Sequence, residues 1–242
     1  MIGFHVRLAD LTVAVTCQFE STRSLCRGFL TEPGPSAAEI TLTPAHIRLE
    51  RSFLRGDEPL GATTDEALER LALLRCLAQW LPGQDRVLFH GSCLAYDGRG
   101  VLFSARSGTG KSTHTRLWRE CFGARVEMIN DDKPFLHVTE AGTMAYGTPW
   151  LGKHQLGGNL RAPLAAICVV CRGRENRLER LNPRQALPLL LSQTYSPADP
   201  GALTRTLALA DRLARTVAVY RLYCNMDPQA AVVARDGIFT EG

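Results

Sequence analysis

Residues 105 to 112 read Ala-Arg-Ser-Gly-Thr-Gly-Lys-Ser, and they constrain the fold more than any other stretch. The preceding Val101-Leu102-Phe103-Ser104 is apolar and β-prone, and the following residues 113–121 contain no Gly or Pro and read as a helix. A strand, a glycine-rich turn and a helix in that order aim successive backbone N–H groups and a helix N-terminus at one point, which suits phosphate oxygens. In this frame Ser107, Gly108, Thr109, Gly110 and Thr113 belong to the phosphate cradle. Lys111 reaches the β- and γ-phosphates, and the Ser112 hydroxyl is placed to ligate Mg²⁺. Gly108 and Gly110 supply backbone freedom that a side chain would block. Ala105 stands where the usual motif has its first glycine.

The chain around this turn is long enough, at 242 residues and 45% hydrophobic, to bury a full core. The sequence predicts a β-rich portion over 1–60, with strands in 4–16, 39–43 and 46–49, and an α/β core over 61–242 in one compact whole. A buried helix follows Thr63 and Glu66, read as a capping box, and stops at Pro82-Gly83. Strands are expected at 87–90, 93–96, 100–104, 125–129, 135–138, 144–146, 163–171 and 217–224. Helices are expected from Asn182-Pro183, around Leu203 to Val217, and after Asp227-Pro228. No apolar run approaches the length of a membrane span, and no basic-then-apolar leader opens the chain, so a cytoplasmic location with no membrane partner is expected. A net charge of +4 without a lysine-rich run or aromatic-basic interleaving argues against nucleic acid as a partner.

Binding a phosphate does not say what happens to it. Asp131 and Asp132 follow about twenty residues on, at a strand end, where two neighbouring acids point in different directions and can divide metal ligation from base chemistry. Asn-Asp-Asp is also ordinary turn chemistry. His90 lies one strand before the phosphate turn, and pairing of the two strands would bring it near the same edge. The Gly/Pro-rich stretch 148–154 carries Lys153 and His154, residues suited to the transferred phosphate or its acceptor, or simply to solvent. The chain holds 25 arginines but only three lysines, Lys111, Lys133 and Lys153, all within or just beyond the turn. A compact ammonium is not interchangeable with a guanidinium in a phosphate pocket. Eight scattered cysteines offer one Cys-x-x-Cys, Cys168 and Cys171, on a strand-like run that opposes joint metal ligation, so they read as thiols of a core.

Phe89-His90-Gly91, Ser107 to Ser112 and Asp131-Asp132 occur in the order found in HPr kinase/phosphorylases, whose P-loop core is shared with phosphoenolpyruvate carboxykinases. The run from Leu88 to Pro134, with Gly147 to Trp150, Gly152-Lys153-His154 and Cys224 to Pro228, resembles the small bacterial HPr-kinase-related proteins, among them lasso-peptide kinases. The resemblance implies a mixed-sheet α/β P-loop core of that type with a β-rich N-terminal portion. It implies transfer of the γ-phosphate of ATP, with Mg²⁺, to a hydroxyl, a serine in particular, of a peptide, protein or small molecule. It gives Lys111 and Ser112 the phosphates and metal, and Asp131 and Asp132 metal ligation and the general base, with His90 beside them; Asp131 is the metal ligand of the pair. It also implies assembly into a homo-oligomer. The segment that serves HPr binding in that family is not found after the acidic pair, which argues against HPr as the acceptor. Two other readings stand beside the kinase: a nucleotide-binding regulatory protein without transfer activity, and a carboxykinase-like enzyme, which the short chain disfavours.

Overall fold

The computed structural model describes residues 1–54, 56, 61, 63–105 and 110–239. The chain divides into two compact units, Met1–Trp80 and Leu81–Gly242.

In the first unit, β1 (Ile2–Leu8) and β2 (Leu11–Cys17) form a hairpin around Ala9-Asp10, both at positive φ as a two-residue turn of this hand requires. Phe4, Val6 and Leu8 alternate inward opposite Val13, Val15 and Cys17, so one face of the sheet is apolar. After α1 (Glu20–Leu25), the short β3 (Leu30–Thr31) adds to β1, and β4 (Ala38–Thr41) adds parallel to β2, giving the order β3-β1-β2-β4. Residues 46–49, expected as strand, lie instead in the helix α2 (Pro44–Ser52). Pro44 sits in the first turn and Thr43 caps it, with the His46 ring accepting the Thr43 N–H at 3.1 Å; these end signals override the β-like cluster of apolar residues. Helix α3 (Asp65–Trp80), placed with the C-terminal portion on sequence, lies with this unit. Its cap is Thr64 rather than Thr63: the Thr64 hydroxyl accepts the Ala67 N–H at 3.2 Å.

Glu69, on α3 and 0% exposed, holds this unit together. Its carboxylate accepts the backbone N–H groups of Gln18 (2.8 Å) and Phe19 (3.1 Å) and the Thr22 hydroxyl (2.7 Å), joining α3 to the β2–α1 junction. The Glu50 carboxylate likewise takes a forked ion pair from Arg75, linking α2 to α3.

In the second unit, β5 (Arg86–Leu88), β6 (Ser92–Tyr96), β7 (Arg99–Ser104), β8 (Val126–Asn130), β9 (Phe135–Thr139), β10 (Gly142–Tyr146), β11 (Arg161–Arg172), β12 (Arg177–Leu181) and β13 (Ala218–Cys224) build one nine-stranded mixed sheet. Its main path runs β5-β9-β10-β11-β7-β6-β8, and β13 joins β11 with β12 beyond it. Successive residues alternate between two apolar layers. Val101, Phe103, Ala166, Cys168 and Val170 face α4 (Lys111–Phe122) and α7 (Gln229–Phe239), while Leu102 and Ile167 face α5 (Pro183–Leu191) and α6 (Pro200–Thr216). Helices on both faces explain why these strands read as continuous apolar runs. Strand β12, Arg-Leu-Glu-Arg-Leu, was not expected because its charges mask it; it pairs only with β13.

Strand direction positions the site. β7, β11 and β13 are parallel, and β8 runs the same way as β7 because both are antiparallel to β6. The carboxyl ends of four strands and the start of β6 therefore meet at one edge. Among the described residues, no helix is long and apolar enough to cross a membrane. The cysteines are unbridged: Cys17, Cys26, Cys93 and Cys168 are buried and only Cys121 is exposed.

Replacing Glu69 by Ala strands two N–H groups and a hydroxyl, so the substitution should cost about 3 kcal/mol or more. A urea titration followed by circular dichroism checks this; a midpoint unchanged from wild type contradicts it.

Candidate functional site

β7 ends at Ser104, and Ala105, which follows it, is buried. The expected cradle residues Ser107, Gly108 and Thr109 lie outside the described residues. Gly110, at φ +122°, precedes α4, whose first residues are Lys111, Ser112 and Thr113, all half-buried. The Lys111 Nζ donates to the Ala105 carbonyl at 3.0 Å, tying the start of α4 to the end of β7. Burial pushes the Lys111 ammonium below the ordinary lysine value; Asp132 opposes that shift and Lys133 adds to it. Lys111 therefore lies within electrostatic reach of Asp132.

His90 reaches this edge by pairing on both sides. The Phe89 and Gly91 N–H groups donate to Pro134 and Asp132 carbonyls (3.1 and 3.0 Å), while the His90 N–H donates to Gln193 (2.8 Å). Ser92 is paired with Phe103, and the Ser104 hydroxyl donates to the His90 carbonyl at 3.4 Å, so the end of β7 lies beside it. The His90 Nε2 sits 3.4 Å from Asp132 Oδ1, and Lys133 is ion-paired to Oδ2 of the same carboxylate. Burial alone would raise the Asp132 carboxyl; the His90 hydrogen bond and the Lys133 charge outweigh it and bring it down from 3.8 to about 2.

Asn130 organises this turn. It is 0% exposed, and its Oδ1 accepts the N–H groups of Asp132 (2.8 Å) and Lys133 (2.6 Å). Its Nδ2 faces the Thr148 carbonyl (3.2 Å), the Thr148 hydroxyl (3.0 Å) and the Trp150 carbonyl (3.3 Å), and the Thr148 hydroxyl donates to the Lys133 carbonyl at 2.8 Å. The stretch 147–158 is thereby strapped across the acidic pair. Gly147 is packed so closely that a Cβ there would stand 1.8 Å from the Gly158 carbonyl oxygen. The buried Asp131 carboxylate accepts the Gly152 N–H at 2.6 Å. Lys153 and His154, next in the strap, are exposed.

The structure thus brings His90, Asp132 and Lys133 into contact, leaves Lys111 within electrostatic reach of Asp132, and sets Asp131 against Gly152. Sequence reasoning left Asn130 and Thr148 without a role. The signal was present in an Asn at a strand end immediately before two acids, but its partners lie 18 and 20 residues away. The oxygen donors at this edge are the Asp131 and Asp132 carboxylates and the Ser112 hydroxyl. Among the described residues, no three His, Cys, Asp or Glu side chains gather as a metal cage. Such a donor set fits Mg²⁺, which takes one or two carboxylates and fills its other positions with water and phosphate oxygens.

No protein-family model matches the chain, and no curated protein matches it. Among solved structures it is similar to the Hpr(Ser) kinase/phosphatase from Coxiella burnetii, at 11% identity and a TM-score of 0.36, over 64% of this chain and 99% of that one.

The Asp132 carboxyl titrates lower in the fold than in the unfolded chain. Its charge therefore stabilises the fold fully above about pH 4, and that contribution is lost as the pH falls toward about 2. The difference in unfolding free energy between wild type and Asp132→Asn should be constant near neutrality and shrink below about pH 4. A difference that grows with acidity, measured by urea unfolding across that range, would contradict the assignment.

Proposed function

We propose that the Leu81–Gly242 unit is a kinase that transfers the γ-phosphate of ATP to a hydroxyl, a serine or its small-molecule equivalent. One observation carries the reading: a lysine in the first turn of α4, the helix next in the chain after β7, lies within electrostatic reach of a carboxylate paired to a histidine. Phosphoryl transfer asks little covalent chemistry of a protein. It needs the phosphates neutralised and the attacking oxygen held in line.

In this reading the first turn of α4 and Lys111 bind the β- and γ-phosphates. Ser112 and Asp131 would hold Mg²⁺, which supplies neutralisation of the phosphate charge. Asp131 suits that task better than Asp132, because both oxygens of Asp132 are already engaged by His90 and Lys133. Asp132 accepts the hydrogen bond of the attacking hydroxyl and orients its oxygen. A carboxylate held near 2 is a weak base, but a loose transition state demands little basicity, and the proton passes late. His90, with its side chain 44% exposed, gives that proton a route to solvent. Lys153 and His154, exposed on the strap beside Gly152, are placed to meet the acceptor molecule.

The test is transfer of label from γ-labelled ATP with Mg²⁺ into an extract of the native host, comparing wild type, Lys111→Ala and Asp132→Asn. Wild type should label an acceptor, and each variant should lose about 100-fold or more of the rate. Asp132→Asn should still bind ATP. A wild type that binds ATP and labels nothing would make the chain a nucleotide-binding regulatory protein instead.

A further inference from the structure

In the kinase reading Lys111 meets the phosphates and Lys153 the acceptor, which leaves Lys133, the third lysine of the chain, without a task of its own. Its backbone is pinned on both sides. The Lys133 N–H donates to Asn130 Oδ1 at 2.6 Å, and its carbonyl accepts the Thr148 hydroxyl at 2.8 Å. Pro134 follows, and its carbonyl accepts the Phe89 N–H at 3.1 Å. From this fixed base the Lys133 ammonium pairs with Oδ2 of Asp132, its own neighbour in sequence. Neighbours on an extended chain point to opposite sides. These two side chains meet because the Asn130 amide curls the chain, taking both of their N–H groups on one oxygen. The Lys133 side chain is still 34% exposed. An ammonium has three N–H donors. Among the described residues one is given to Asp132, and the others meet no protein acceptor.

Two ammoniums, Lys111 and Lys133, therefore stand within electrostatic reach of one carboxylate and of each other. A carboxylate that holds an acceptor hydroxyl against a phosphorus atom faces a difficulty. Its negative charge points at a phosphoryl group whose three outer oxygens are themselves negative in the transition state. Repulsion between like charges at that range is strong wherever water is thin. A cation held on the same carboxylate offsets it. An ammonium whose backbone is already fixed does so without reorganising when the phosphoryl group arrives. A point charge also suits the position. An arginine–carboxylate pair is commonly bidentate, and here His90 already stands at Oδ1.

We propose that Lys133 is a catalytic residue: while it keeps its bond to Asp132, its ammonium donates a second hydrogen bond to an outer oxygen of the phosphoryl group in transfer. The inference rests on the reading of this unit as a kinase and adds to it a contact with the reacting group. The acceptor oxygen forms its bond to the γ-phosphorus as the bond from that phosphorus to the β–γ bridging oxygen breaks. The bridging oxygen leaves with the electron pair as part of ADP, and the hydroxyl proton passes to Asp132. Lys133 neither gives nor takes a proton. Because its contact is with the transferring group, ADP alone does not make it, and ADP joined by a mimic of that group does.

The test measures, by calorimetry, binding of ADP with Mg²⁺, alone and with aluminium fluoride as the mimic of the transferring group. The proteins are wild type, Lys133→Met, Asp132→Asn and the double variant. Lys133→Met should bind ADP as wild type does and hold ADP with aluminium fluoride about tenfold or more weaker. The same loss should appear when Lys133→Met is added to Asp132→Asn, where no carboxylate is left to position. A loss seen only where Asp132 is present makes Lys133 a support for that carboxylate and overturns the inference. An aluminium fluoride affinity that Lys133→Met leaves unchanged overturns it too, as does a wild type whose ADP affinity the mimic does not raise. Each of these leaves the phosphate site standing. If wild type binds no ADP at all, the phosphate site falls and the inference with it. Where Lys133→Met loses ADP itself, Lys133→Gln, which keeps a neutral donor, replaces it. That variant must show the same selective loss, and the inference fails if it does not.

Discussion

The Asn130 amide is the interaction on which the rest of the site depends. A primary amide has two donors and one acceptor oxygen, and here all are committed without access to water. The oxygen takes two consecutive N–H groups, which bends the chain sharply after β8 and turns the Asp131 and Asp132 side chains apart. The nitrogen is shared among three oxygens of the 148–150 segment, so the strap can sit only where Asn130 puts it. Nothing else in the residue set could serve both ends at once. An aspartate would accept the two N–H groups but would repel the three oxygens. The close contact at Gly147 follows from this arrangement, since the strap is drawn in until backbone touches backbone.

Sheet topology converts that local order into a site. Residues 90, 105, 110–113, 131–133, 170–173 and 224–226 are scattered over more than half the chain, yet they share an edge because β7, β8, β11 and β13 run in one direction. A parallel arrangement covered on both faces leaves the strand ends as the place where polar backbone and side chains can gather without disturbing the apolar layers. The start of β6 joins them because an antiparallel neighbour begins where the others finish. His90 needs no special loop to reach Asp132; it needs only to precede Ser92 in register with Phe103.

Much of this was legible in the residues. The helix that opens at Lys111, the acidic pair at a strand end and the approach of His90 were each expected, and the described residues place these at one edge; the glycine turn lies outside the described residues. Local signals sufficed because each lies within a few residues of a strand end or helix start. What escaped depended on distance along the chain. The Asn130 strap joins positions 18 and 20 apart, β12 is a charged strand visible only through its partner β13, and Glu69 joins groups about fifty residues apart. Residues 46–49 differ in kind: their apolar cluster suggests a strand, but Thr43-Pro44 starts a helix, and end signals decide a short helix.

The uneven use of lysine and arginine gains a physical reason at this edge. Arginine keeps its charge in any surroundings, whereas a buried ammonium is easily weakened, as Lys111 is by burial and by Lys133. Without the Asp132 carboxylate the depression would be larger, so this acid helps to sustain the charge of Lys111. Lysine registers its neighbours electrostatically: burial and Lys133 weaken the ammonium, and Asp132 opposes them. Arginines can populate the remaining cationic positions, since ion pairs such as Arg125–Asp97 and Arg212–Glu140 require only a permanent charge.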